Sequence, residues 1–595
     1  MNQFFKFLFA SCLGTALALI LLTFIGFSML AGVASSATQK EKVSIPANSV
    51  LELRFDRPIP EKTNNVEMDP FSFEEETVLG LSDMVLAIRQ AKEDDDIKGI
   101  YLNGTYVAAG KASSSVLREA LEDFKSEGKF IISYAPFYTQ NAYYLASVAD
   151  SVLLNPLGAV DFRGFSATIA FYKDMLDRLD VKMRIFYAGK FKSATEPFRL
   201  DKMSDENRLQ VREYLEAMYE IFLEDIAESR GMSKEELRAI ANDFQGRSAA
   251  DALEAGLIDR IAYEDEAHAA LKSNIGLEEK DKVKLISVED FFTSRVKKLN
   301  LKEKNKIAVL FAEGTIKDGP STEPGSVFSD EYVKMLRKIR KDDKVKALVL
   351  RINSPGGSVM ASENILREIR LFKESERPVI VSMGDVAASG GYYIACEADS
   401  IFAEPNTITG SIGVFGMIPI LQNTMKEHLG ITYDTVRTGK YSAFGTPFID
   451  FSPEESAMIQ NRVEWIYEDF LNKVAVGRNM SRDEVHEIAQ GRVWPGNKAM
   501  EIGLVDAMGG IDRALSAAAD MAGLEAYRVA EYPRTQTAME QLLERFTNSK
   551  KREDEVRAYL LKSELGEMYP AYKTMQDLRE SRGIQARLPY ELIIN

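Results

Sequence analysis

The sequence predicts an α/β fold built twice in tandem behind an N-terminal apolar helix. Two observations carry this. Short β-branched runs such as Val379-Ile380-Val381 and Ala347-Leu348-Val349-Leu350 alternate with helical periodicity along most of the chain, the pattern of parallel strands joined by crossover helices. The second observation is a self-match. Ile131-Ile132-Ser133-Tyr134, Tyr143-Tyr144-Leu145-Ala146 and Ala149-Asp150-Ser151 fall in order on Ile380-Val381-Ser382-Met383, Tyr392-Tyr393-Ile394-Ala395 and Ala398-Asp399-Ser400, 249 residues on. Gly189-Lys190-Phe191 falls on Gly439-Lys440-Tyr441, and Ala255-Gly256-Leu257-Ile258-Asp259 on Ile502-Gly503-Leu504-Val505-Asp506. A period of that length is a duplicated domain, too long for a solenoid repeat.

The elements follow in order. Residues 7–39 carry no charge and are rich in Leu, Phe, Ile and Ala. About 20 apolar residues span a bilayer, and this run exceeds the h-region of a cleaved signal. Residues 1–45 therefore read as an uncleaved signal anchor, with cleavage near Ala34-Ser35-Ser36-Ala37 as the alternative. The long folded body beyond reads as exported. Residues 46–298 form the first copy, opening on a strand at Val50-Leu51-Glu52-Leu53-Arg54-Phe55. Residues 299–524 form the second, opening at Ile307-Ala308-Val309-Leu310-Phe311. Each continues with a helix (84–92 and 332–340), a charged turn and a buried strand. The Lys- and Glu-rich stretch 272–306 reads as the connection, with Phe291-Phe292 docking. Residues 525–595 read as an extension. It holds a solvated charged run at 548–555, and its last stretch, 583–595, ends Leu588-Pro589-Tyr590-Glu591-Leu592-Ile593-Ile594, a candidate terminal strand.

Composition narrows the function. A formal charge of −16 over 595 residues argues against nucleic acid as a partner. The two cysteines, Cys12 and Cys396, build neither a disulfide framework nor a zinc site. No metal or cofactor is expected.

Chemistry concentrates in the second copy. Ser389 follows the run Val379-Ile380-Val381-Ser382-Met383 at a turn into a helix, beside Gly390-Gly391, and Asn353-Ser354-Pro355-Gly356-Gly357-Ser358 ends the preceding strand. A serine at such an elbow, next to a glycine turn, supplies an exposed hydroxyl and backbone N–H groups for an oxyanion. The first copy has lost this: Gln140 stands at the position of Ser389, and Asn141-Ala142 at Gly390-Gly391. In exchange it holds Lys192 where the second copy has Ser442. Each copy lacks what the other kept.

Ser389 needs a base. His268, His428 and His486 all sit in charged helical segments away from any turn. Lys192, between Phe191 and Ala194 with Phe198 following, fits better. An apolar pocket would lower its pKa from its ordinary value near 10.4 toward neutrality. The alternative for Lys192 is a surface lysine. For Ser389 and for Gly356-Gly357 it is a simple tight turn. Ser193 and Glu196 are candidates for tuning Lys192, with helix capping as the alternative. Asp385 is a candidate lysine partner, with a turn carboxylate the favoured reading.

Gly384-Asp385-Val386-Ala387-Ala388-Ser389-Gly390-Gly391-Tyr392-Tyr393, with Asn353-Ser354-Pro355-Gly356-Gly357-Ser358 before it and Gly410-Ser411-Ile412-Gly413-Val414 after it, closely resembles the protease IV (signal peptide peptidase) family in its long, duplicated form. The resemblance covers about residues 1–525. It implies two tandem ClpP/crotonase-like domains and a Ser/Lys peptidase, with the serine of the second copy served by the lysine of the first. It also implies an oxyanion hole from Gly357 (or Gly356) and Gly390. It further implies remnant signal peptides as substrates, and a homotetramer anchored in the bacterial inner membrane with its catalytic body in the periplasm. Two alternatives come from other classes: a crotonase-type acyl-CoA enzyme, which needs no Ser389, and a catalytically inactive membrane scaffold.

Overall fold

Apolar runs too short for helices become strands here, and each copy stacks them in parallel. The structure, a computed structural model, describes residues 44–66, 77–296, 303–321, 324–534 and 584–588, with scattered helical positions within 7–23 and 557–569. Residues 46–68, 77–534 and 567–595 form one compact unit that holds both copies. Most of the expected anchor, residues 1–45, lies outside the described residues. Among those described, no helix is long and apolar enough to cross a membrane.

The first-copy sheet has six parallel strands in the order Arg260–Ile261, Ser151–Leu154, Phe130–Ala135, Ile97–Asn103, Ser49–Leu53 and Lys284–Ser287. Helix Glu264–Ile275 covers one face, packing Ala267 and Leu271 on Val50, Tyr101, Ile132 and Leu153. The stretch expected to be a connection thus supplies an edge strand. The helix after it, Val288–Arg295, buries Phe291 completely.

The second-copy sheet repeats the plan. Its order is Val493–Pro495, Ile408–Gly410, Val379–Ala388, Val345–Ser354, Lys306–Glu313 and Arg528–Tyr532. Strand Ser400–Ala403 also pairs with Val379–Ala388. Helix Ile511–Met521 packs Ala514 and Ala518 on one face. Strand Arg528–Tyr532 holds the edge that Lys284–Ser287 holds in the first copy. The second-copy sheet therefore runs past residue 524, where the sequence placed its end. Arg-Val-Ala-Glu-Tyr and Lys-Leu-Ile-Ser share too little to show the correspondence.

A third sheet joins what the chain separates. Its order is Ser326–Phe328, Thr315–Lys317, Gly356–Ser358, Ile584–Arg587, Val414–Ile420 and Lys182–Ala188. Strand Lys182–Ala188, from the first copy, runs antiparallel to Val414–Ile420 of the second with every residue paired, from Ala188 on Val414 to Lys182 on Ile420. Phe186 and Ala188 consequently belong to the second copy's hydrophobic core. A second tie is a buried ion pair, the Arg351 guanidinium on both carboxylate oxygens of Glu61 at 2.7 and 3.2 Å. Arg351 spends its remaining donors on Ser382 Oγ and the Met383 carbonyl, which is how a buried charge is tolerated.

Candidate active site

Ser389 sits between strand Val379–Ala388 and helix Gly390–Ala395 with φ 56° and ψ −115°. Few non-glycine residues adopt positive φ, and surrounding contacts must hold it. Two backbone bonds do so: Ser389 N–H donates to the Gly410 carbonyl (2.8 Å), and its own carbonyl accepts from Tyr393 N–H (2.7 Å).

The lysine arrives through the third sheet. Ala188 is paired with Val414, so the loop after it, turned by Gly189 at φ 102°, falls beside residues 411–413. Lys192 Nζ lies 2.9 Å from Ser389 Oγ, 3.1 Å from Ser411 Oγ and 3.3 Å from the Ser411 carbonyl. Lys192 is 1 % exposed and its ammonium end lies 5.9 Å from the Phe415 ring centroid. It makes no ion pair among the described residues, and burial alone pulls its pKa down to about 7. Such an amine is substantially neutral at physiological pH and can accept a proton.

The loop is clamped from behind. Phe191 N–H donates to the Gln490 carbonyl (2.9 Å), and Gly491 N–H donates to that of Ile412 (2.8 Å). Gln210 Nε2 donates to Ser193 Oγ (3.0 Å) and to the Phe191 carbonyl (3.2 Å), while its Oε1 accepts from Val493 N–H (3.3 Å). Glu196, fully buried, accepts from Ser204 Oγ (2.5 Å) and Asn207 Nδ2 (2.8 Å). Ser193 and Glu196 therefore brace the lysine loop, and the bonds they make go to other groups than the Lys192 amine. Asp385 accepts from Ser113 N–H (2.9 Å) and Oγ (2.5 Å), capping the first-copy helix Lys111–Lys125 across the junction. Burial raises its pKa. It is an inter-copy cap rather than a partner of Lys192.

The glycines form the facing wall. Gly356 has φ 93°, and a Cβ there would lie 2.6 Å from Gly390 N. A Cβ on Gly390 would lie 3.0 Å from Gly357 N. The amides of Gly357 and Gly390 thus converge beside Ser389. The Gly356 amide faces Ser354 Oγ at 3.2 Å, so Gly356 supplies the turn, and the Gly357 amide lies beside Gly390.

The three histidines are engaged elsewhere. His428 contacts Asp180 (2.9 Å), His486 contacts Tyr467 (3.1 Å) and His268 packs edge-on to Tyr101. In the first copy, Gln140 is tied to the Gly164 backbone through both amide ends (3.0 and 3.1 Å), and Lys111 Nζ fills the neighbouring space on Asn141 Oδ1 (2.7 Å). Ser411, Gln210 and Gly491 carried no assigned role in the sequence reading. For Ser411 and Gly491 a signal was present, in the Gly410-Ser411-Ile412-Gly413 motif and in the repeat of Gly246-Arg247 at Gly491-Arg492.

The sequence is similar to those of known proteins. The sequence matches Peptidase family S49 over residues 123–278 and 371–525, and Clp protease over 304–409. It is 38% identical over 445 residues to Protease 4 of Haemophilus influenzae, covering 73% of this chain and 72% of that one. It is 37% identical over 478 residues to Protease 4 of Salmonella typhi, covering 79% and 76%. To the chloroplastic serine protease SPPA of Arabidopsis thaliana it is 33% identical over 443 residues, covering 73% and 64%. Two S49 matches, one in each copy, together with this similarity over most of the chain, establish that the chain belongs to peptidase family S49 and is a serine protease of the protease 4 kind.

Proposed function

We propose that peptide hydrolysis runs on a dyad split between the copies, Ser389 as nucleophile and Lys192 as general base. The observation that carries this is the 2.9 Å contact of Ser389 Oγ with a buried amine that has no carboxylate beside it among the described residues. Neutral Lys192 takes the hydroxyl proton as Oγ bonds to the peptide carbonyl carbon. The N–H groups of Gly357 and Gly390 hold the oxyanion. The C–N bond breaks, and Lys192 returns the proton to the leaving amine. Water, deprotonated by Lys192, then hydrolyses the ester and restores Ser389.

The substrates are extended, apolar peptides, including signal-peptide remnants. The uncharged run 7–39 anchors the enzyme in the inner membrane with its body on the periplasmic side. The enzyme works as a closed homo-oligomer, a tetramer by the family resemblance. Its support lies in the duplication. Lys182–Ala188 of the first copy covers Val414–Ile420 of the second. The counterpart of the former, 431–437, exposes Ile431, Tyr433 and Val436. Residues 164–170, the counterpart of the latter, belong to none of the described strands. A second chain repeating the same pairing head to tail satisfies both, and such contacts close into rings.

The test uses the full chain in detergent as wild type, Ser389→Ala and Lys192→Ala, each checked for folding. Both variants are expected to lose peptide hydrolysis and labelling by a serine-directed fluorophosphonate. A Lys192→Ala enzyme with near-full activity would refute the dyad. Val436→Asp is expected to break the assembly, read as mass by light scattering.

A further inference from the structure

Lys192 stands on a turn that most residues would avoid. Gln490 and Gly491 are consecutive left-handed residues, at φ 53° and 78°. Glycine takes this conformation freely, whereas a glutamine keeps it only where its surroundings hold it there. The turn backs both members of the dyad. The Gln490 carbonyl accepts from Phe191 N–H (2.9 Å), and a Cβ on Gly189 would lie 2.4 Å from the Gln490 carbonyl carbon. Gly491 N–H donates to the Ile412 carbonyl (2.8 Å), and a Cβ on Gly413 would lie 2.9 Å from Gly491 Cα. The Gly413 carbonyl is itself 3.5 Å from Ser389 Oγ. Packed this closely, the turn cannot relax without moving the lysine loop or the 411–413 segment.

One side chain holds this turn. The Tyr467 hydroxyl accepts from Gln490 N–H (3.1 Å), the one partner of that amide among the described residues, and lies 3.1 Å from His486 Nδ1. Tyr467 is buried in the second-copy core on helix Pro453–Arg478. Seven residues earlier, on the same face, Gln460 Nε2 donates to the Tyr187 carbonyl (3.3 Å) of strand Lys182–Ala188. A single helix thus grips both the strand that carries the lysine and the turn on which the lysine stands. The first copy supplies a comparison. Tyr219 stands fifteen residues past the capping Ser204, as Tyr467 does past Ser452. Gln245-Gly246 matches Gln490-Gly491 but lies three residues further from its helix cap, Ser233 against Ser481. There the positive φ falls on Phe244 (49°) rather than on Gln245 or Gly246. Tyr219 packs its ring against Phe165, Phe222 and Arg238, and among the described residues its hydroxyl holds no turn amide. The first-copy turn, which seats no lysine, lacks this strut.

We propose that Tyr467 is a positioning residue for the base: its hydroxyl keeps the Gln490-Gly491 turn left-handed and so holds Lys192 against Ser389. The inference rests on the role given above to Lys192. The bonds of Tyr467 go to the turn and to His486, not to the dyad, so it acts through the backbone of the turn. Without the hydroxyl, the Gln490 amide loses its partner, and its backbone is released toward the ordinary negative-φ region. The Phe191 bond and the Gly491 wall shift with it, and the amine moves off the serine. A displacement of this kind weakens proton transfer and leaves peptide binding as it was.

The test uses the full chain in detergent as wild type, Tyr467→Phe, Tyr467→Phe with Gln490→Gly, and Tyr219→Phe, each checked by circular dichroism. Tyr467→Phe is expected to lower kcat on a short peptide by about tenfold with KM unchanged, and to slow fluorophosphonate labelling of Ser389. The acid limb of kcat/KM should move to higher pH, because water reaching the displaced amine favours its charged form. Gln490→Gly added to Tyr467→Phe is expected to recover most of the loss, since glycine keeps the left-handed turn without help. Tyr219→Phe, at the first-copy counterpart, is expected to leave kcat unchanged. Wild-type kcat in Tyr467→Phe would overturn the proposal, as would a loss that Gln490→Gly does not recover or that Tyr219→Phe shares. Failure of the underlying dyad is read separately, as activity surviving in Lys192→Ala.

Discussion

Gly491 lies directly against the backbone of Lys192: a Cβ at residue 491 would sit 2.7 Å from both the nitrogen and the Cβ of the lysine. Gly491 also has φ 78°. Any side chain there must push the lysine loop away from Ser389. Gly491→Ala is expected to lower kcat by about 100-fold, the scale of a displacement near 1 Å in a reacting pair. KM should change little, because residue 491 lies behind the lysine rather than in the peptide cleft. Steady-state kinetics on a short peptide checks this, with circular dichroism to confirm folding.

Lys192 must be neutral to accept the serine proton, and burial places its pKa near 7. Activity is therefore expected to rise with pH, tenfold per unit below about 7, and to level off above it. Ser411 contacts the same amine at 3.1 Å. Ser411→Ala removes a hydrogen-bond partner of the amine and is expected to lower kcat by about tenfold, with the KM of the peptide preserved. Full activity at pH 5 would show that another group serves as base.

The same burial has a cost for folding. The folded pKa of Lys192 lies below its unfolded value near 10.5. Between the two, the unfolded chain binds the extra proton. The penalty is thus complete below about pH 7 and fades as pH rises toward 10.5. Lys192→Met removes it while keeping most of the volume, against the loss of hydrogen bonds to Ser389 and Ser411. The net expectation is an inactive enzyme more stable by about 2 kcal/mol at pH 7, with the difference shrinking at higher pH. Denaturant melts at two pH values measure it.

Glu61 and Arg351 tie the copies through a pair that is at most 3 % exposed on either side. Removing one partner leaves a buried charge uncompensated. Glu61→Gln is expected to destabilise by about 3 kcal/mol. Glu313 lies close by, its pKa pushed up to about 7 by burial and by Glu61, so its carboxyl should ionise more readily in the variant. Replacing both partners, Glu61→Leu with Arg351→Met, should recover most of the loss. Thermal melts of the three variants test this.

Much of this site was legible in the residues. The β-branched run ending at Ser389 and the Gly356-Gly357 turn are local patterns. The exchange of Ser389 for Gln140 and of Lys192 for Ser442 pointed to the division of chemistry between copies proposed above. The pairing of Lys182–Ala188 with Val414–Ile420 was not legible, because register between distant strands is set by tertiary packing rather than by either segment's own pattern. Ser411 and Gly491 stood in visible motifs, but their roles were not legible for the same reason: those roles lie in what stands opposite them. Ser193, Glu196 and Asp385 were visible as polar residues near the motifs. Only their hydrogen bonds show that they hold backbone and helix ends.

The seven-residue pairing across the copies also bears on ancestry. A duplicated enzyme ordinarily carries two working sites, and either can decay without loss of function. Here the ladder between Lys182–Ala188 and Val414–Ile420 brings one half's amine to the other half's hydroxyl. If Ser389 and Lys192 act together as proposed, the elbow at Gln140 and the loop at Ser442 were free to drift, and neither half can work alone. The proposed dyad thus makes the molecule an obligate pair of unlike specialists in a single chain.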